Sequence, residues 1–283
     1  MIIWIASYPK SGNTWVRSLL SAYLYSDNGS FNFELLKNIP KFPQRKHLEY
    51  FTNDFSDIKK ISEYWIAAQD RINLFNENKS IFFKTHSALC ALENNLFTNK
   101  NNTQAVIYIV RDPRNIITSV SNHYSFNIEE AYNFMVDENR IISNDKWSAK
   151  NFGLAEVLGK WSQHYVSWKN IKFAPILIIK YENLLNDTIG SLTKILNFLN
   201  KFIDLKIENK KILKTVKDCN FENLRKMEIN EGFHEAAYSE RKNKKVNFFN
   251  LGKKNNWKVL LSSEIEKKLI VSFNKEMKEL GYI

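Results

Sequence analysis

The residues with the clearest chemical potential lie within the first fifteen positions. An apolar run at positions 2 to 6 is followed by Tyr-Pro-Lys-Ser-Gly-Asn-Thr-Trp at positions 8 to 15, and then by apolar side chains at helical spacing. This pattern predicts a strand, a tight loop and a helix. The free backbone N–H groups and the dipole at such a helix start attract an anion. Lys10 adds a positive charge, and the loop's hydroxyl and amide side chains add donors, so we predict a phosphate-like site here.

The loop differs from a Walker A sequence. The pattern GxxxxGK[ST] places Lys directly after Gly, whereas here Lys10 precedes Gly12. A Gly-Ser turn also joins strands to helices in proteins that bind nothing there. The lysine, the neighbouring hydroxyls and the position directly after a buried strand favour anion binding, and Gly12 lets the backbone approach the anion closely.

Two further polar groups follow predicted strands. Lys84-Thr85-His86 follows the apolar run at 80–84, and Arg111 follows the run at 105–110, with Ser119 eight residues later. The carboxyl ends of parallel strands form the ligand-binding edge of open α/β sheets. A neutral histidine there can accept a proton near pH 7, and Arg with Ser can hold a phosphate. Taken alone, a single histidine is more often a structural residue, and an arginine at a strand end often forms a structural ion pair.

Together, these motifs resemble the PAPS-dependent sulfotransferases, which use 3′-phosphoadenylyl sulfate (PAPS) as sulfuryl donor. The octet at positions 8 to 15 is similar to the family's 5′-phosphosulfate loop, close to YPKSGTTW, and residues 84 to 86 match its KTH. The resemblance implies that His86 is the catalytic base and that Lys84 stabilises the sulfuryl oxygens. It also implies that Lys10 neutralises the bridging oxygen. Residues of the loop would hold the 5′-phosphate: Lys10, Ser11, Gly12, Asn13 and Thr14.

The resemblance continues toward the adenosine end of the nucleotide. Arg111 and Ser119 keep the family's eight-residue spacing for the 3′-phosphate, and Ser119 would also steer the loop lysine as part of the catalytic set. The segments Tyr181-Glu182-Asn183-Leu184 and Asn220-Phe221-Glu222 resemble the family's YEDL and SFE. The resemblance therefore implies adenine-side contacts from Trp15, Tyr181, Asn220 and Phe221.

The chain departs from the family near its C-terminal motif RKGxxGxW. Positions 250 to 257 read NLGKKNNW, which keeps Gly252 and Trp257 but lacks the Arg, the Lys and the second Gly. Lys253 and its neighbour, or the basic pair at 241–242, would supply the missing charge. Gly252 and Lys253 are therefore predicted nucleotide contacts. The family's dimer motif is not reproduced after Trp257, so the sequence leaves the oligomeric state open.

Alternating strands and helices must position these motifs. We predict strands at 2–6, 80–84, 105–110 and 175–180, and helices from 13 and at 62–76, 113–124, 128–141, 154–171, 186–202, 210–217, 221–227 and 263–280. This order predicts an α/β fold, P-loop-like, with a central parallel sheet flanked by helices on both faces. No repeat or linker stands out, so we predict one domain over 1–283. Acceptor-shaping lid segments are predicted at 31–60, 128–150 and 228–256.

Composition limits the function classes. The chain has 283 residues, is 44% hydrophobic and 25% charged, and carries a net charge of +11, which suits a packed domain with a polyanionic partner. Two cysteines form no disulfide framework or zinc knuckle, and no acidic cluster for Mg²⁺ stands out, so we expect no metal. No apolar run approaches the roughly 20 residues of a membrane helix, and no leader is recognisable; the expected location is cytoplasmic.

The predicted reaction is in-line sulfuryl transfer from PAPS to a hydroxyl or amine, giving PAP. The acceptor would be a small molecule, a glycan or a lipid, and no nucleic-acid partner is expected. Three alternatives stay open: a P-loop kinase using ATP and Mg²⁺, a nucleic-acid-binding protein favoured by the positive charge, and a nucleotide-binding relative without turnover. The missing Arg-Lys pair before Gly252 keeps the last of these open.

Overall fold

A computed structural model describes residues 1–77, 79–142, 154–239 and 243–283 of the chain. The strands are β1 (Ile2–Ser7), β2 (Ile81–Thr85), β3 (Ala91–Leu92), β4 (Asn95–Leu96), β5 (Thr103–Val110), β6 (Ile141–Ile142), β7 (Glu156–Val157), β8 (Ile176–Lys180), β9 (Tyr238–Ser239) and β10 (Lys244–Lys245). A four-stranded sheet in the order β2-β1-β5-β8 contains the long strands, and every neighbouring pair is parallel. The other six strands form three two-stranded antiparallel pairs.

Helices connect the strands of the central sheet. They are α1 (Asn13–Tyr25), α2 (Arg45–Leu48), α3 (Ile58–Ser62), α4 (Trp65–Phe75), α5 (Pro113–Tyr124), α6 (Ile128–Val136), α7 (Trp161–Lys169), α8 (Tyr181–Asn186), α9 (Thr188–Leu199), α10 (Asn209–Asp218), α11 (Phe221–Glu231), α12 (Trp257–Leu260) and α13 (Ser263–Glu279). Short 3₁₀ helices cover Phe33–Asn38 and Gly252–Lys254. Several starts follow ordinary capping rules. For example, Pro113 opens α5 while the Asp112 carboxylate accepts from the backbone N–H of Arg114.

The sheet is buried on both faces because its central strands, β1 and β5, are mostly apolar. All six residues of β1 are buried, and its side chains alternate between two clusters. Trp4 packs on one face with residues of α4, α6, α7 and α13. Ile3 and Ile5 pack on the other face with residues of α1, α9 and α10. A strand that is almost wholly apolar is typical of such a position between two layers of helices, and the predicted α/β fold with helices on both faces is confirmed.

Three of the predicted helices differ from the observed elements. The helix predicted over 154–171 begins only at Trp161, because residues 156–157 form β7 and pair with β6. The backbone N–H groups of Leu158 and Gly159 then donate to the Arg140 carbonyl, which turns the chain before the helix. For the same reason the helix predicted over 128–141 ends at Val136. The helix predicted at 62–76 is divided between α3 and α4.

Two other regions contain more secondary structure than the sequence predicted. The lid segment predicted at 31–60 contains a 3₁₀ helix, α2 and the start of α3. Helix α8 follows β8 directly, which places Tyr181 at its first turn. Of the predicted lid segment 128–150, positions 143 to 150 lie outside the described residues. Within the described ranges, no helix is long and apolar enough to cross a membrane.

Candidate active site

The loop between β1 and α1 forms a tight backbone cradle. Lys10 and Gly12 have positive φ angles of 65° and 102°. A Cβ atom on Gly12 would lie 2.6 Å from the ring of Tyr181, so only glycine fits there. Gly12 is the N-cap of α1 and offers no side-chain cap to the first amides of the helix. The start of α1 therefore keeps N–H groups and its positive dipole end for an anion.

The polar side chains of the cradle have different surroundings. The Asn13 amide donates inward to the Ile5 carbonyl at 3.0 Å and to Ser7 Oγ at 3.2 Å, which ties α1 to β1. The hydroxyl of Ser11 is buried and has no hydrogen-bond partner among the described residues. Thr14 Oγ1 donates to Glu235 at 3.0 Å. A buried hydroxyl without a partner is unfavourable, so the Ser11 hydroxyl keeps unused hydrogen-bonding capacity within the loop.

Lys10 and Lys84 are the two lysines predicted at the transfer centre. The Lys10 ammonium lies 3.8 Å from the centre of the Phe248 ring. Burial, with Arg111 nearby, lowers the pKa of Lys10 to about 7. The Lys84 ammonium lies 3.1 Å from Glu235, and burial lowers its pKa as well. Both amino groups are therefore poorly solvated, and in their charged form they interact strongly with an incoming anion.

The ring of His86 is oriented for proton acceptance. Its Nδ1 lies 2.8 Å from the carbonyl oxygen of Ser7, the last residue of β1. A carbonyl can only accept, so Nδ1 carries the hydrogen and Nε2 keeps its lone pair. Burial lowers the pKa of His86 to about 4, so the ring is neutral at pH 7. The His86 backbone is held as well, because its N–H donates to Glu156 and its carbonyl accepts from His164.

A polar cluster lies across the cradle at the end of β5. One Arg111 NH group donates to the Lys10 carbonyl at 2.9 Å and to Ser119 Oγ at 3.4 Å. The Asn255 amide also donates to Ser119 Oγ, at 3.0 Å. The Arg111 guanidinium lies 4.2 Å from the centre of the Tyr181 ring, and its Nε is buried without a partner among the described residues. The cluster thus retains donor capacity for a second anion.

One cleft of about 1190 Å³ connects these groups. It exceeds the roughly 300–1,000 Å³ of typical single-ligand sites, so it has room for two ligands side by side. Beyond His86 the wall contains the ion pair between Lys41 and Glu156, at 2.6 Å, with Ile142 and Leu154 near it. Among the described residues, no three His, Cys, Asp or Glu side chains come together as a metal site.

The family comparison agrees with this geometry. The model of the sulfotransferase domain family matches residues 2–281. The chain belongs to this family. The enzyme class inferred from the sequence motifs, PAPS-dependent sulfotransferase, is thereby confirmed.

The individual relatives are distant in sequence, but their alignments extend over nearly the whole of this sulfotransferase. A flavonol 4′-sulfotransferase of Flaveria chlorifolia is 23% identical over 292 residues, covering 99% of this chain and 80% of the relative. Cytosolic sulfotransferase 16 of Arabidopsis thaliana is 25% identical over 288 residues, covering 99% and 77%. The crystal structure of retinol dehydratase with androsterone and inactive cofactor PAP matches with a TM-score of 0.59 at 19% identity, covering 98% of this chain and 80% of that one. The structural match supports the fold.

Most residues predicted from sequence line the same cleft of the sulfotransferase. They are Lys10, Gly12, Asn13, Thr14, Trp15, Lys84, His86, Arg111, Ser119, Tyr181, Phe221 and Gly252. On the adenine side, Trp15 packs edge-on against Tyr181 with ring centres 5.7 Å apart. A Cβ on Gly252 would lie 2.6 Å from the Phe221 ring, so the glycine allows the loop to close over that ring.

Three predicted residues lie outside the cleft lining. Ser11 is buried within the loop. Asn220 is the N-cap of α11, and its side chain accepts from the Asn223 N–H. Lys253 is exposed. The alternative basic pair at 241–242 lies outside the described residues. Nucleotide contacts by Asn220 and Lys253 stay predictions.

Sequence reasoning missed three residues of the site. Asn255 occupies the place of the family's second glycine and contacts Ser119. Glu235 pairs with Lys84 and contacts Thr14. Phe248 covers the Lys10 ammonium. Nothing local in the sequence marks these three residues, because each lies in an irregular segment. His123 also lines the cleft and packs edge-on against Phe248.

Proposed function

We propose that this sulfotransferase moves a sulfuryl group from PAPS to a hydroxyl or amine acceptor, with release of PAP and with His86 as general base. The observation that carries the proposal is the orientation of His86. Its Nδ1–H is held by the Ser7 carbonyl, and its neutral Nε2 is available in the cleft that contains both lysines. A base must be unprotonated and correctly placed before the acceptor arrives.

The chain's own residues would act by positioning and by charge. PAPS supplies a sulfuryl group bonded to a phosphate through a bridging oxygen. His86 Nε2 takes the acceptor proton while the acceptor atom bonds to sulfur and the bond from sulfur to the bridging oxygen breaks. Lys10 stabilises the negative charge that develops on that oxygen, Lys84 stabilises the sulfuryl oxygens, and Ser119 steers Lys10. Positioning and electrostatic stabilisation then supply the rate enhancement.

The residues of the cleft fit a nucleotide with two anionic ends. The amides at the start of α1 and the buried Ser11 hydroxyl suit a 5′-phosphosulfate. The Arg111 guanidinium, with its unpartnered Nε and with Ser119 beside it, suits a 3′-phosphate. Trp15, Tyr181 and Phe221, which line the same cleft, offer aromatic surface for adenine.

For the acceptor, we propose a small hydroxylated molecule. The part of the cleft beyond His86 combines a buried ion pair, Lys41 with Glu156, and apolar side chains such as Leu154. Relatives named for flavonol and a neighbour crystallised with androsterone support a compact acceptor. A glycan or a lipid alcohol stays an alternative. A cytoplasmic location also stays a prediction, in line with a relative named cytosolic.

The test is an acceptor screen that reads PAP release from PAPS. Phenols, steroids, sugars, amines and lipid alcohols are offered singly, with EDTA present and absent. We expect PAP release with at least one class and no effect of EDTA. Phosphoryl transfer from ATP that EDTA abolishes would favour a P-loop kinase. Binding of PAP without turnover on any acceptor would favour the nucleotide-binding relative, which the missing Arg-Lys pair before Gly252 keeps as the second candidate.

A further inference from the structure

Glu235 brings a carboxylate into the 5′ end of the cleft. It lies in the segment between α11 and β9, far in sequence from its partners. Its Oε2 accepts from Thr14 Oγ1 at 3.0 Å. Its Oε1 accepts from Arg17 at 2.6 Å and from the Lys84 ammonium at 3.1 Å. Three donors from α1 and β2 therefore converge on one carboxylate.

The charges around Glu235 require an anion. The side chains of Arg17 and Lys84 are only 3% and 10% exposed. Buried cations without a counter-ion are strongly unfavourable. The two cations hold the pKa of the Glu235 carboxyl well below its ordinary value, so the group is ionised at neutral pH. Glu235 thus neutralises part of the positive charge of the cleft in the structure.

Two of the three donors are those that the proposed function assigns to the ligand. Thr14 belongs to the cradle for the 5′-phosphate, and Lys84 is placed at the sulfuryl oxygens. The Ser11 hydroxyl and Arg111 Nε, in contrast, are buried without partners among the described residues. The cleft therefore has one set of donors satisfied by an internal carboxylate and another set without any acceptor. A nucleotide anion at the cradle would compete for the first set.

We propose that Glu235 is the internal counter-ion of the 5′ end of the cleft and that a 5′-phosphate bound at Thr14, joined in PAPS by the sulfuryl group at Lys84, displaces its carboxylate. This inference rests on the proposed function. The displacement lowers the affinity for nucleotides that carry a 5′-phosphate, and return of the carboxylate promotes release of PAP. Nucleotides without a 5′ anion leave Glu235 in place, so their affinity does not depend on it.

The test compares two ligands on three proteins by titration calorimetry. Wild type, Glu235→Gln and the control Glu231→Gln are titrated with PAP and with adenosine 3′-phosphate, which lacks the 5′-phosphate. Glu231 is exposed at the end of α11, on the same segment of chain. We expect Glu235→Gln to bind PAP roughly tenfold tighter, the size of a typical coupling between competing groups. Adenosine 3′-phosphate should bind unchanged, and the control should match wild type for both ligands.

Glu235→Asp covers the case in which Glu235→Gln does not fold. It keeps the charge beside Arg17 and Lys84 but shortens the reach to Thr14, so we expect a smaller tightening for PAP alone. Weaker PAP binding, or equal shifts for both ligands, would show that the carboxylate stays in place and would overturn the inference. If wild type binds PAP and both Glu235 variants bind it with the same affinity, the inference about Glu235 is overturned and the proposed function is not. Absence of PAP binding in wild type would overturn the proposed function as well.

Discussion

The two ends of the cleft are built differently. At the transfer end, Lys10, Lys84 and His86 lie at the ends of adjacent strands, and the backbone of β1 and β2 sets their positions. At the adenosine end, Ser119 of α5 meets Asn255, which lies 136 residues away in an irregular segment. The family's motifs persist at the first end and are altered at the second. The residues proposed for sulfuryl transfer are thus positioned by the sheet, whereas one residue beside the proposed 3′-phosphate site is positioned by an irregular segment.

The largest expected effect distinguishes sulfuryl transfer from nucleotide binding. Lys10→Ala removes the cation that we propose acts at the bridging oxygen, and we expect turnover with PAPS to fall about 10²–10³-fold, as for loss of one preorganised electrostatic group. Binding of adenosine 3′-phosphate should not change, because the adenosine end stays intact. Lys201→Ala, at an exposed lysine, is the control. Equal losses in turnover and in adenosine 3′-phosphate affinity would break the distinction between the ends.

The complementary change affects the adenosine end. Arg111→Ala removes a guanidinium that faces Ser119, and we expect PAP to bind about ten- to a hundredfold more weakly, the usual range for a charged hydrogen bond. The affinity for adenosine 5′-phosphate, which lacks the 3′-phosphate, should fall much less. The same comparison controls for a general relaxation of the loop that contains Lys10. Arg111→Lys keeps the positive charge but loses the planar, two-pronged donor geometry of the guanidinium. Its affinity for PAP should lie between those of wild type and Arg111→Ala. A wild type that binds PAP and adenosine 5′-phosphate equally well would contradict the assignment of Arg111.

The pH dependence of PAP affinity tests the state of Lys10. Its pKa is lowered to about 7 by burial, so the side chain is charged at pH 6 and largely neutral at pH 8. A polyanion binds the charged form of Lys10 more tightly than the neutral form. Loss of this charge should therefore weaken the affinity for PAP about tenfold as pH rises from 6 to 8. Lys10→Arg stays charged throughout, and its profile gives the contribution of the ligand's own phosphates. Superimposable profiles would contradict a lowered pKa at Lys10.

The smallest expected effect concerns Asn255. Its amide donates to Ser119 Oγ at 3.0 Å and to the Asn115 carbonyl at 2.8 Å. Asn255→Ala removes these bonds and the one that Asn255 accepts from Thr118. Only the bond to Ser119 bears on the predicted 3′-phosphate contact, so PAP should bind roughly fivefold more weakly, as expected for about 1 kcal/mol from one hydrogen bond. Turnover at saturating PAPS should be retained. A drop in turnover at saturation would place Asn255 with the transfer end instead.

The fold and the location of Lys10, Lys84 and His86 in one cleft could be predicted because their signals are local. The strand at positions 2 to 6, the loop around Gly12 and His86 after β2 each follow from a few consecutive residues. Glu235 and Asn255 could not be predicted, because tertiary packing brings them to partners more than 130 residues away. The short pair of β6 and β7 was missed for a related reason. Two-residue strands carry no periodicity, and the flanking residues suit a helix equally well.

The measurement that tests the account most directly is PAP release from PAPS by wild type and by His86→Ala, with PAP affinity measured on both. The structure holds Nδ1 of His86 against the Ser7 carbonyl and keeps the ring neutral. The account predicts normal PAP affinity in the variant with turnover reduced about 10²–10⁴-fold, the range for loss of a general base. Undiminished turnover in His86→Ala would remove the histidine from the reaction and contradict the account.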